Sequence, residues 1–223
     1  MGWKTSIIIA SQDEQPNLAY DIRHDADAAA RIAAALPGDF AFAGESTFEE
    51  GAYPRNGNLY VGAYGNSLLI GHMDLAGSCF NGDVPPVVSA VDAVLPRSSI
   101  LALELHSVVN LYGYALFEKN RLVRGRAGSA DDGVFLDVGE PLSEEQPLLD
   151  KSVVNADGEQ VWVDEFDGVT EEMDHSCMGE EFVFEVSRRF FGERFDCFDH
   201  DKLLMSEFKS TSKTFWQRLF GRK

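Results

Sequence analysis

Two arginines on one predicted strand are the residues of this sequence best suited to hold a charged ligand. The stretch HSVVNLYGYALFEKNRLVRG, residues 106–125, has the alternation of a β-hairpin with a Lys-Asn turn at its centre. That turn sets Arg124 opposite Ala115 and Arg126 opposite Gly113. Both guanidinium groups would then face small residues across the hairpin.

This arrangement predicts a shallow hollow that suits a carboxylate or a phosphate, because guanidinium forks bind such groups with paired hydrogen bonds. An enzyme or binding protein for a small anionic ligand would use Arg124, Arg126 and, on the same face, Ser107. The alternative is a solvated face on which the arginines pair with acidic neighbours such as Asp131 and Asp132. Ion pairs of that kind contribute little to stability.

Histidines offer acid–base chemistry at two places. His72 and Asp74 stand at a predicted strand end, where an imidazole and a carboxylate on one side could act as a couple. His106 begins the hairpin, but it and Ser107 point to opposite faces of a strand and do not form a nucleophile–base pair by themselves. The alternative is a structural role for each histidine.

A third set has the residue types of a tetrahedral zinc site, two thiolates and two imidazoles. Its members are His175, Cys177, Cys197 and His200. The first spacing is tighter than usual, and a predicted helix separates the two halves. Ordinary buried cysteines near a helix are therefore favoured, and no metal or cofactor is predicted. The sequence also contains no Walker A loop, no G-x-S-x-G and no H-E-x-x-H.

The elements that must position these residues are predicted to be mainly strands joined by hairpins. Strands are predicted over 4–10, 59–63, 67–72, 100–105 and 133–138, and helices over 25–36, 87–95 and 178–191. Residues 41–58 are predicted to be mostly loop, and Asp199 to cap a last short helix carrying Leu203, Leu204 and Phe208. The pattern indicates one α+β domain over residues 1–208, with a largely antiparallel sheet covered by a few helices.

Charge and composition limit the possible partners. The formal net charge of −18 argues against binding to nucleic acid, which needs clustered Lys and Arg. Three cysteines fit reduced thiols in a cytosol. With no recognisable signal peptide and no apolar run near twenty residues, a cytoplasmic protein is expected. The oligomeric state is left open.

The C-terminal residues 209–223, KSTSKTFWQRLFGRK, differ sharply from the body. They hold five of the 19 basic residues and none of the 37 acids, so the tail carries +5 and residues 1–208 carry −23. Phe215, Trp216, Leu219 and Phe220 would share one face of a short helix, with Arg218 beside them. Such a tail suits an anionic membrane surface or the groove of a protein partner; the third alternative is that it folds back on its own acidic body.

Several segments of the chain resemble an uncharacterised bacterial family, common in actinomycetes and classed as a domain of unknown function. The similar segments are Met1–Thr5, Tyr60–Gly62, His106–Val109, Gly113–Ala115, Arg121–Arg124 and Val138–Leu142. The resemblance covers roughly residues 1–150 and implies an intracellular bacterial domain. It supplies no activity and no catalytic residues.

Two function classes are consistent with these observations. The first is a non-enzymatic cytoplasmic interaction or regulatory module, whose tail docks to a protein partner or to the inner membrane. The second is the enzyme or binding protein that holds a small anion at the arginine face. The charge separation and the missing catalytic motifs favour the first.

Overall fold

The computed structural model describes residues 2–19, 23–55, 57–166 and 169–211. Within these ranges the protein is an α+β fold built on a nine-stranded antiparallel sheet with the strand order β2-β12-β3-β4-β1-β5-β6-β7-β8. A second sheet has the order β11-β10-β9. The predicted fold class is confirmed.

The elements have the following bounds. The strands are β1 (Lys4–Ser11), β2 (Phe40–Thr47), β3 (Leu59–Tyr64), β4 (Ser67–Gly71), β5 (Ser99–His106), β6 (Leu111–Glu118), β7 (Arg121–Ser129), β8 (Gly133–Val138), β9 (Ser152–Val154), β10 (Gln160–Phe166), β11 (Val169–Met173) and β12 (Leu204–Ser210). The helices are α1 (Ala26–Ala35), α2 (Phe48–Gly51), α3 (Met73–Gly77), α4 (Pro86–Val94), α5 (Gln146–Leu149) and α6 (Gly179–Phe191).

The large sheet is buried on both faces, which explains its continuous apolar strands. In β1, Ile7 and Ile9 pack into one core with α2, α6 and the small sheet. Ile8 and Ala10 point the other way, into a second core with α1, α3 and α4. We call these the α6 face and the α1 face of the sheet. A polar residue in a central strand is therefore enclosed whichever way it points.

Several helices and hairpins formed close to their predicted bounds. Asp25 caps α1, its carboxylate accepting a hydrogen bond from the Ala28 amide at 2.9 Å. Gly192 ends α6 with φ of +82°, a left-handed conformation that glycine adopts without strain. The hairpins β3–β4 and β6–β7 also form where they were predicted.

Two predictions about secondary structure were wrong. Residues 41–58, predicted as loop, contain most of β2 and all of α2. The helix predicted after Asp199 is only a 3₁₀ turn, His200–Lys202, and the chain then continues as β12. Its apolar side chains fit a strand because β12 inserts between β2 and β3, a pairing between residues far apart in sequence.

Candidate functional site

The predicted register of the β6–β7 hairpin was wrong beyond its turn. Glu118 does face Arg121, but a bulge at Leu116–Phe117 shifts the pairing by one residue. Arg124 therefore lies opposite Leu116, and Arg126 lies opposite Tyr114. Since a one-residue shift reverses the face, both arginines point into the α6 face instead of a solvated hollow. Arg124 is 1% exposed and Arg126 is 4% exposed.

The Arg124 guanidinium is engaged on all three of its nitrogens. Its Nε donates to Glu145 Oε1 at 2.9 Å, and its Nη2 donates to Glu145 Oε2 at 2.8 Å. Its Nη1 donates to the Asp137 carboxylate and to the carbonyls of Val138 and Gly139. Burial disfavours the charged guanidinium, but its hydrogen bonds to these carboxylates outweigh that effect and raise the pKa of Arg124. The pairing differs from the predicted partners Asp131 and Asp132.

This network has an architectural consequence. Glu145 is 0% exposed and immediately precedes α5, and its Oε1 also accepts a hydrogen bond from the Leu142 amide at 2.8 Å. Arg124 thus fastens the segment between β8 and α5 to β7. A ligand could reach its guanidinium only by displacing a buried carboxylate, so Arg124 is better explained as a structural residue.

Arg126 has fewer partners. Its guanidinium lies 4.9 Å from the centre of the Phe182 ring, and its Nη1 is 3.6 Å from Asp137 Oδ2. Its buried Nε has no hydrogen-bond partner among the residues described. Nearby, the Tyr112 hydroxyl and His175 Nδ1 are 3.2 Å apart. Burial lowers the pKa of His175, Asp174 opposes that effect, and Arg126 adds to it.

Ser107 does not join the arginines in a shared contact. It lies in a 3₁₀ turn after β5, because the strand is interrupted before β6 begins. Its hydroxyl donates to the Trp3 carbonyl at 2.7 Å and to the Glu180 carboxylate. The predicted set of Arg124, Arg126 and Ser107 is therefore divided between separate hydrogen-bonding environments.

The predicted acid–base couple of His72 and Asp74 is not formed. His72 caps the N-terminus of α3, where its Nδ1 accepts a hydrogen bond from the Leu75 amide at 3.3 Å. Asp74 lies in the first turn of the same helix and is exposed. Burial lowers the pKa of His72, with Asp74 opposing that effect. The role of His72 here is to begin a helix.

Glu104 is a candidate that the sequence motifs do not reveal. It is the single acid of β5, and its side chain lies on the α1 face, where Ser6 Oγ donates to its Oε1 at 2.8 Å. Its Oε2 is buried and has no hydrogen-bond partner in the described part of the chain. Burial raises the pKa of Glu104 to about 7, with the Ser6 hydrogen bond opposing the shift. An acid inside the apolar run SILALELH was the available signal.

Both predicted histidines lie near the start of β1 and the end of β5, where Glu104 also lies. The His72 amide donates to the Ser6 carbonyl at 3.2 Å, and Ser6 pairs with Glu104 across β1 and β5. His106 lies two residues beyond Glu104 on β5, hence on the same face, and its buried Nδ1 has no hydrogen-bond partner among the described residues. His72 and Glu104 thus lie on opposite sides of Ser6 in the sheet, and neither sequence motif contained that acid.

The four zinc candidates do not assemble. Among the described residues, no three or more of His, Cys, Asp and Glu are grouped as metal ligands. His200 is committed to the body, since its Nε2 hydrogen-bonds to the Phe195 carbonyl and its Nδ1 lies 3.3 Å from Glu49. His175 contacts Tyr112 instead. The prediction that these cysteines are buried was wrong, because Cys177 and Cys197 are both exposed free thiols.

The start of the tail is fixed to the body. Strand β12 extends through Ser210, past the predicted boundary at residue 208. The Thr211 amide and hydroxyl then donate to the Asp39 carbonyl at 2.8 and 3.2 Å. Thr211 therefore lies next to the start of β2, an edge strand of the large sheet on which Phe42 is 60% exposed. The predicted docking residues Phe215, Trp216, Arg218, Leu219 and Phe220 lie outside the described residues.

Comparison with known proteins identifies a family without assigning an activity. The model of a family of unknown function, DUF6928, matches residues 5–170, which is more than half of the chain. The predicted resemblance to a domain of unknown function is thereby confirmed, while a bacterial origin stays a prediction. Helix α6 and strand β12 lie beyond the matched residues. No curated protein and no solved structure matches the chain.

The described ranges also contain no helix with both the length and the apolar character needed to cross a bilayer.

Proposed function

We propose that this chain, which belongs to the DUF6928 family, is a peripheral association module: an acidic α+β body that its basic aromatic tail holds at an anionic membrane surface. The main observation that supports this proposal is the separation of charge along the sequence. Residues 1–208 hold all 37 acids and carry −23, whereas residues 209–223 carry +5. Such a division suits a protein that presents its tail and body to different surroundings.

The residue types of the tail support a membrane surface as its target. Lys and Arg near anionic head groups contribute about 1 kcal/mol each. Phe215, Trp216, Leu219 and Phe220 are spaced to occupy one side of a helix, where aromatic and apolar groups enter the acyl boundary. A segment of this length binds weakly by itself, so the association would be reversible.

The position of the junction supports the same proposal. Thr211 is bound to Asp39, so the tail leaves the body at a fixed place. Phe42 lies beside Phe208 at this edge, with ring centres 5.7 Å apart, and adds an exposed aromatic side chain there. The acidic body would be repelled by anionic lipid, which makes the binding sensitive to tail charge and to salt.

The experiment is vesicle co-sedimentation with the full chain and with a version ending at Thr211. That end point keeps β12 and its bonds to Asp39 intact, whereas a cut at Phe208 would remove the last two residues of the strand. We expect the full chain to sediment with mixed phosphatidylcholine–phosphatidylglycerol vesicles and to be released by salt. The shortened version should stay in solution, as should both proteins with phosphatidylcholine alone.

Two pairs of substitutions in the tail separate the contribution of its basic residues to membrane binding from that of its aromatic residues. Arg218→Glu with Arg222→Glu should abolish binding, while Trp216→Ala with Phe220→Ala should weaken it and leave its salt dependence intact. Equal sedimentation of the full and shortened chains would contradict the proposal. So would tail-dependent capture of one soluble protein in the absence of any vesicle binding, which would favour a protein partner instead.

A further inference from the structure

Glu104 lies between two strands that offer its carboxylate very little. On β1 its neighbour in register is Ser6, and on β6 its neighbour is Gly113. Ser6 supplies one hydrogen bond at 2.8 Å, and Gly113 supplies no side chain. The Phe80 ring fills that space, since a Cβ on Gly113 would come within 2.9 Å of it. One carboxylate oxygen is therefore bonded, and the other is buried without a hydrogen-bond partner among the described residues.

Two polar atoms at this end of the sheet are buried without partners among the described residues. They are Glu104 Oε2 and His106 Nδ1, two residues apart on the same face of β5. Buried polar atoms are nearly always hydrogen-bonded, because an unmade bond costs free energy that folding does not recover. Two such atoms on one face indicate a place where a ligand could donate the missing hydrogen bonds. Both side chains are partly exposed while the two atoms themselves are enclosed, so a small ligand reaches those atoms only when neighbouring side chains move aside.

An aromatic ring lies beside His106. The centre of the Tyr53 ring lies 6.1 Å from that of His106. The Lys4 ammonium lies 5.4 Å over the same Tyr53 ring, and Lys4 is the residue paired with His106 on β1. An aromatic face is a recognised place to bind organic cations. Lys4 shows that this ring accepts that kind of group.

The chemistry of the region selects one ligand class. A carboxylate without a paired base would repel an anion, and the described residues here provide too few groups to enclose a metal ion. A cation with N–H donors satisfies the free carboxylate oxygen and offers a donor to the unpartnered His106 Nδ1, and it is attracted by the acidic protein. We propose that Glu104 and His106, bordered by Tyr53, bind the ammonium group of a small organic amine. This site is independent of the tail and of its target.

The protonation of Glu104 should report on the ligand. Burial holds the pKa of Glu104 at about 7, so near neutral pH the carboxyl is only partly ionised. A bound ammonium favours the carboxylate and should move that pKa downward. Other titratable groups on the elements packed here are Lys4 on β1, His72 and Asp74 at α3, Cys79 in the following 3₁₀ turn, and Tyr53 after α2.

The test is an NMR titration of the full chain at pH 7 with butylammonium as the probe and butanol as its neutral match. We expect saturable shifts of the Glu104 carboxyl and His106 ring signals with butylammonium, together with a lower Glu104 pKa at saturation. Butanol should produce neither effect. Absence of saturable shifts, or equal effects of the two probes, would overturn the proposal.

Variants make the assignment specific. Glu104→Gln should weaken butylammonium binding at least tenfold, about the effect expected from losing a charge-assisted hydrogen bond. The matched control is Glu118→Gln, which removes an exposed carboxylate at the hairpin tip and should leave binding unchanged. Lys4→Ala should tighten binding, because it removes the ammonium that already lies on Tyr53.

If Glu104→Gln binds as tightly as the natural chain, or Lys4→Ala binds more weakly, the assignment fails. The version ending at Thr211 should bind the amine normally even if vesicle binding is lost, which separates this site from the tail.

Discussion

Two of the ionisable groups enclosed in the central sheet, Arg124 and Glu104, have opposite surroundings. Arg124, on β7, lies in the α6 face and is paired with a fully buried carboxylate, a second carboxylate and two carbonyls. Glu104, on β5, lies in the α1 face and receives one hydroxyl hydrogen bond. A buried charge with its partners in place is part of the architecture. One without them is either neutralised by a proton or available to a ligand.

The largest expected effect comes from breaking the compensated network. Glu145→Gln removes the charge that faces Arg124 and leaves the guanidinium enclosed at 1% exposure. Removing one partner of a buried ion pair costs about 3–5 kcal/mol. Urea unfolding should therefore show a loss of that size. Loss of less than about 1 kcal/mol would mean that Asp137 alone compensates Arg124.

Removing both Arg124 and Glu145 tests the same explanation more strictly. Arg124→Met with Glu145→Leu leaves no buried charge, so it should recover most of the stability that Glu145→Gln loses. The double variant should also loosen the segment between β8 and α5, which Arg124 fastens. Hydrogen exchange of the Leu142 amide would detect that loosening. If the double variant does not recover this stability, the network contributes more to folding than charge compensation.

The opposite effect is expected at Glu104. Its pKa rises from 4.5 to about 7 on folding, so ionisation disfavours the folded state. The penalty is absent below pH 4.5, grows as pH rises, and is complete above pH 7, where it amounts to about 3 kcal/mol. Glu104→Gln removes the titration. The stability of this variant relative to the natural chain should therefore increase by about that amount between pH 4 and pH 8.

Unfolding curves at several pH values check this prediction. The comparison between pH values matters more than the difference at any one of them, because Gln also changes the hydrogen bond with Ser6. A difference that does not vary with pH would mean that Glu104 ionises freely in the folded protein.

A smaller effect is expected at His72, which caps α3 only through an unprotonated Nδ1. His72→Ala should cost about 1 kcal/mol, the usual value of an N-cap. Burial lowers the pKa of His72, so its contribution is present above pH 6.5 and is lost as pH falls through the lowered value. His72→Asn keeps a cap acceptor without that titration. A flatter acid side of the stability profile in the Asn variant would confirm the assignment, and an unchanged profile would contradict it.

The sequence predicted the elements whose signals are local. The strand predicted over 4–10 and the helices predicted over 25–36 and 178–191 depend on neighbouring residues, and each formed close to its predicted bounds. Strand β12 was missed because its partners β2 and β3 are more than 140 residues away along the chain. Its apolar spacing suited a helix equally well, and only the pairing decides between the two.

The candidate site was predicted less well, and for a specific reason. The bulge at Leu116–Phe117 reversed the face of both arginines. No residue type in the hairpin sequence predicts this one-residue shift of the strand register. Glu104 could have been flagged as an acid within an apolar strand. Its lack of partners could not, because that depends on Ser6 and Gly113 lying beside it in the sheet.

The contrast between the two buried groups is tested most directly by a pH titration of the Glu104 carboxyl carbon, followed by NMR in the natural chain without added ligand. We predict a midpoint near pH 7, since burial acts on Glu104 and one hydroxyl is its only compensation among the described residues. A midpoint near 4.5 would contradict this prediction, because Glu104 would then be as well compensated as an acid in water.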